Sequence, residues 1–147
     1  MRLENFQIAS SIELQFDGKL WDLHNSAYFQ GLRLVPRDNA ALMEWVPSSS
    51  PGLSSRSGMK LLFEGLQFVQ IGARDSELPL TEDVCVADIL KVNPSVQHSD
   101  PYMRPVPESS DHFRLVFSFQ SRRIIEIGSD SVRLIPVDEA GLAVRHL

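Results

Sequence analysis

The sequence contains a single cysteine, Cys85, in 147 residues. No intramolecular disulfide can form, so a reducing compartment is the default reading. Long apolar runs are missing as well: none approaches the roughly 18 residues of a membrane span. Residues 1–5 lack the charged-then-apolar order of a signal peptide. These absences predict a cytoplasmic protein with no membrane partner. Positive charge is scarce, with 14 Lys and Arg against 19 Asp and Glu and a net charge of -5. That balance argues against non-specific nucleic-acid binding, which needs a basic surface, and it permits a cationic partner. Motifs for catalysis are absent too. There is no HExxH pair and no Gly-x-Ser-x-Gly setting, and Gly52, Gly58, Gly65 and Gly72 are not spaced as a phosphate loop. The expectation is a protein that is not an enzyme and carries neither cofactor nor metal.

What the chain does have is alternation. Across 112–137, Phe113, Leu115, Phe117 and Phe119 alternate with Arg114, Val116 and Ser118, the period of a strand with one buried face. A three-residue loop at 120–122 sets Phe117 opposite Ile125 and Leu115 opposite Ile127. A slip of one residue would put Glu126 on the apolar face, so that register is strongly preferred. A second hairpin is predicted at Ser129-Asp130, pairing Ile127 with Val132, Ile125 with Leu134, and Glu126 with Arg133.

The same reasoning applies upstream. Residues 8–16 read as a strand stopping at the turn Asp17-Gly18, and residues 20–26 as a short helical turn or irregular segment with Trp21 buried. Residues 28–36 and 41–46 form a hairpin in which Leu34 meets Met43, Leu32 meets Trp45 and Arg33 meets Glu44. Residues 59–72 change face at Glu64-Gly65, which calls for a bulge or tight turn at Gly65. Residues 74–92 suit a strand better than a helix, although Thr81-Glu82-Asp83 is able to open a short helix. Loops are expected at 47–58 and, with four prolines, at 93–110. The fold class is therefore mainly β: antiparallel hairpins in one domain, 1–147, making a curved sheet, sandwich or partly closed barrel with at most one or two short helices. At this length such a domain buries about 68 to 70% of the surface its unfolded chain exposes.

Several side chains invite a chemical reading. Asp22 and His24, two apart, would share a strand face, where a carboxylate can orient an imidazole. An ordinary capping pair is the simpler account. His98 with Asp100, and Asp111 with His112, read as solvated. Cys85 needs a histidine base and a lowered pKa to act as a nucleophile, and the nearby Glu82 and Asp83 oppose a thiolate. Arg114, Arg122, Arg123 and Arg133 gather near the C-terminal hairpins among acids, as a solvated face would. The most lopsided stretch is 75–88, where Asp75, Glu77, Glu82, Asp83 and Asp88 occur with no basic residue between them. It is a candidate docking surface for a basic protein. Trp21, His24 and Trp45 form the alternative candidate, a small-ligand pocket at the open end of the sheet.

The order Leu23-His24-Asn25, then Leu61-Leu62-Phe63-Glu64-Gly65-Leu66, an acidic segment, Arg114-Leu115-Val116-Phe117, Ile125-Glu126-Ile127 and Val132-Arg133-Leu134 resembles small β-rich bacterial immunity proteins of polymorphic-toxin systems. Related sequences would often carry His-Asp where this one has His24-Asn25. The resemblance implies a cytoplasmic protein that neutralises a toxin by covering its surface, without chemistry of its own. A homo-oligomer pairing through an exposed edge strand is compatible with either functional reading, and the sequence does not choose its edge.

Overall fold

The computed structural model describes residues 1–48, 58–93 and 112–137. Of the predicted loops at 47–58 and 93–110, residues 49–57 and 94–110 lie outside them, as do His98, Asp100 and Asp111, while Pro47 and Gly58 are strand residues. The described chain is mainly β, a curled antiparallel sheet forming a half-barrel plus a small second sheet. Among the described residues only two 3-10 turns are helical, Pro36–Asp38 and Leu80–Val84. No helix among them is long and apolar enough to cross a membrane.

Ten strands alternate with short turns: β1 (Arg2–Leu3), β2 (Gln7–Ile8), β3 (Glu13–Phe16), β4 (Lys19–Asp22), β5 (Ala27–Val35), β6 (Ala40–Pro47), β7 (Gly58–Ile71), β8 (Val86–Val92), β9 (Arg114–Phe119) and β10 (Ile124–Val137). The large sheet runs β5-β6-β7-β10-β9-β8. Beyond the start of β9, β1 takes its place on β10, pairing parallel at Ser131 and Val132. The small sheet is β2-β3-β4. Its β3–β4 turn is Asp17-Gly18, both at positive φ, the conformation that matches the twist of a two-residue hairpin.

The C-terminal hairpin has the register the sequence predicts, Phe117 against Ile125 and Leu115 against Ile127. Its three-residue loop closes with the Phe119 N–H donating to the Arg123 carbonyl at 2.9 Å, and Arg122 takes the left-handed conformation. The hairpin predicted at Ser129-Asp130 does not exist. β10 continues through it as one 14-residue strand, paired along its length with the equally long β7. Both strands instead change face at that level. Ile127 and Val132 are both buried although they are five positions apart; Phe63 is buried too, and Leu66, partly buried beyond Gly65, packs against the same core. A further residue is inserted in β7 between Leu66 and Phe68. Paired strands that bend at the same level stay paired on both sides of a bulge, so the signal of a turn was the signal of a bend.

The β5–β6 register differs from the predicted one by two residues. Leu34 lies against Ala41, Leu32 against Met43 and Arg33 against Leu42, with a bulge between Phe29 and Gly31. Pro36 leaves the strand for the 3-10 turn, so the connection shifts back by one position, from 37–40 to 36–39, at unchanged length. Glu44 forms its ion pair with Lys60 of β7, at 2.6 Å, instead of with Arg33. A hairpin considered alone cannot reveal the strand on its other side. Two further expectations are corrected. Residues 8–16 break at 9–12 into β2 and β3, and residues 19–22 are the strand β4 rather than a helical turn. Residues 80–92 contain both readings in succession, a 3-10 turn and then β8.

One core fills the half-barrel. Trp45, Phe63 and Phe117 are fully buried inside it, and Phe6, Leu14 and Leu23 from the N-terminal segments close the open side. Burial of side chains of this size contributes about 1.5–3 kcal/mol each.

Candidate functional site

The acidic segment begins where β7 ends and folds back on the β9–β10 turn. Backbone bonds hold it there: Asp75 N–H to Ser121 O at 2.8 Å, Ser121 N–H to Glu82 O at 3.1 Å and Gln120 N–H to Cys85 O at 3.0 Å. Two of its five acids are committed to the same job. Asp83 accepts from Arg74 Nε at 3.0 Å with both oxygens and lies 3.8 Å from Arg123, while Asp75 meets Arg122 at 3.2 Å. The hydrogen bond from the buried Ser121 hydroxyl, together with Arg74 and Arg123, holds the Asp83 carboxyl below its usual range. Asp88 is carried away on β8, opposite Ser118. Glu77 and Glu82 make no ion pair among the described residues. Between them stands Leu80, 74% exposed at the start of the 3-10 turn. The five acids thus divide into a clamp, Asp75 and Asp83, and a presented face, Glu77 and Glu82 around Leu80.

Asp22 closes the turn after β4. Its Oδ1 accepts from the His24 and Asn25 N–H groups at 2.9 and 2.8 Å, and its Oδ2 accepts from the Asn25 side chain at 2.8 Å. Burial raises the Asp22 pKa, but these bonds outweigh it and the net shift is downward. The turn sets His24 against the start of β8. There the structure supplies the Cys–His contact that sequence spacing did not show, Cys85 Sγ lying 3.4 Å from His24 Nδ1. The geometry is wrong for a nucleophile and its base. Nδ1 is 2.6 Å from the Val86 carbonyl oxygen, which only accepts, so Nδ1 carries a proton and cannot take one from the thiol. The thiol donates to the His24 carbonyl oxygen at 3.4 Å. Burial, then Glu82 and Asp22, push the Cys85 pKa up, away from thiolate.

Trp21 and Trp45 do line one cavity, with Leu23, Ser26, Ala27 and Met59, but His24 does not border it. Its volume is about 10 Å³, the room one water needs, so no metabolite fits. A far larger concavity, an open groove of about 950 Å³, runs along residues 1–8 and is bounded by Asp17, Lys91 and Phe113. Sequence reasoning missed it because its walls come from four separate stretches of the chain. Also unforeseen is the ion pair of Glu126, 1% exposed, with Arg114, over which Phe68 packs at 5.8 Å. Arg133, the predicted partner of Glu126, meets Glu64 at 3.6 Å instead. No family model, curated protein or solved structure matches the chain.

Proposed function

We propose that this chain is a non-enzymatic protein-binding module that docks its partner on the acidic 3-10 turn, in the manner of an immunity protein blocking a basic toxin. One observation carries the reading. Leu80, the most exposed large apolar side chain among the described residues, projects between the unpaired Glu77 and Glu82 from a loop that is already clamped in place. An ordered apolar anchor in an acidic rim loses little conformational freedom on binding, and its charge selects a basic partner. The His24–Cys85 geometry agrees with a protein that has no chemistry of its own. Two-sided capture tests it: native chain and the E77K/E82K/L80A variant are used as bait in lysate of the source cell. Retention of a basic protein by the native chain alone, with both baits melting at the same temperature, is the expected result. Equal retention by both overturns this surface.

A second reading, small-ligand binding, is favoured by the open groove along residues 1–8 rather than by the cavity at Trp21 and Trp45. A rise in melting temperature with one member of a metabolite and metal panel, lost on filling the groove by Q7W at an exposed lining position, is its signature.

A further inference from the structure

Most of the described arginines are spent on the protein's own acids. Of the eight described, Arg2, Arg74, Arg114, Arg122, Arg123 and Arg133 form ion pairs, which leaves two. Those two are Arg33 and Arg37, on β5 and on the turn that follows it. β5 is also the end of the large sheet. The opposite end, β8, is met by the N-terminal segment, with the Ile89 N–H donating to the Ser11 carbonyl at 2.5 Å. Along β5, residues 31–35 make no hydrogen bond beyond their ladder with β6. The acidic 3-10 turn contacts this strand, and Phe29 in its first half packs 4.9 Å from Phe119; residues 31–35 lie beyond Phe29. Leu34 there is 54% exposed on the face that Leu32 and Met43 continue into the core.

We infer that the β5 edge from Gly31 to Val35 is a docking site for an extended acidic segment of another protein, added as an eighth strand. An incoming strand paired with this edge extends the core with apolar side chains beside Leu32 and Leu34. Its alternate residues fall on the other face, beside Arg33 and towards Arg37. An alternation of apolar and acidic residues is what that edge fits, with the backbone ladder supplying affinity and the side chains selectivity. A second copy of this chain fits poorly. Two-fold antiparallel pairing over 31–35 centres on residue 33 and sets Arg33 against Arg33, and like charges directly opposite destabilise a strand pair. This edge adjoins the Leu80 turn but uses other side chains, Arg33 and Arg37 in place of Glu77, Leu80 and Glu82, so separate variants test the two.

The test is an NMR titration of the ¹⁵N-labelled full chain with a blocked eight-residue peptide alternating Val and Glu, and with its Val and Lys counterpart. The Val/Glu peptide is expected to move the amides of residues 31–35 and to bind at least tenfold more tightly than the Val/Lys peptide. R33E/R37E, changing two exposed side chains, should invert that preference at unchanged melting temperature. No movement of β5 amides up to millimolar peptide, or equal binding of both peptides, overturns the inference. Shifts on β5 that track protein concentration alone overturn it in favour of a second copy.

Discussion

Gly65 shows how much one residue can decide here. It has φ of +64°, a region that costs side-chain-bearing residues free energy, and a Cβ built on it would collide with the Asp130 carboxylate across the ladder. The collision lies where β7 and β10 bend together. Gly65→Ala is therefore expected to destabilise the fold by about 1–3 kcal/mol, read from the denaturant midpoint. An unchanged midpoint would mean the bend does not depend on this backbone conformation. That Gly65 marks a bulge or turn was legible in the sequence, because the apolar positions switch face there. Its partner's behaviour was not: Ser129-Asp130 carries turn-forming residues, and the stretch is extended between β7 on one side and, from Ser131, β1 on the other.

At the scale of elements, the clamp between the acidic segment and the β9–β10 turn is the feature most at odds with its one-dimensional appearance. Asp75, Glu77, Glu82 and Asp83 read as one acidic run because Arg122 and Arg123, which neutralise part of it, are about 40 residues away in the chain. The Asp83 carboxyl lies below its usual range in the folded protein, so its contribution to stability is complete above the unfolded carboxylate pKa of about 3.9. It is lost as pH falls through the lower folded value. Melting temperature followed from pH 7 downward should fall on the acid side, and Asp83→Asn should flatten that fall while lowering the plateau at neutral pH. Parallel curves for the two proteins would remove Asp83 from the acid response. Charge reversal at Asp83 is for the same reason a poor probe of partner binding, whereas Glu77 and Glu82 are clean ones.

For the whole molecule, the question is whether the small sheet is an appendage or part of the core. Leu14 and Leu23 are fully buried in the same cluster as Phe63 and Phe117, so the half-barrel's open side is closed from within the chain. Leu14→Ala should destabilise by about 2–5 kcal/mol, and unfolding followed by far-UV circular dichroism and by tryptophan fluorescence should keep a single shared midpoint. Separate midpoints in the variant would show that β2-β3-β4 melts independently. By itself the sequence determined the β class, the C-terminal register and the residues of the core face, because alternation and the cost of burying Glu126 on that face are local facts. The tertiary structure alone decided the bend in place of a second hairpin, the partner of each charge and the strand left at the edge. Those depend on which distant segment lies beside a given residue, and free energies of pairing and burial are assigned only once that neighbour is in place.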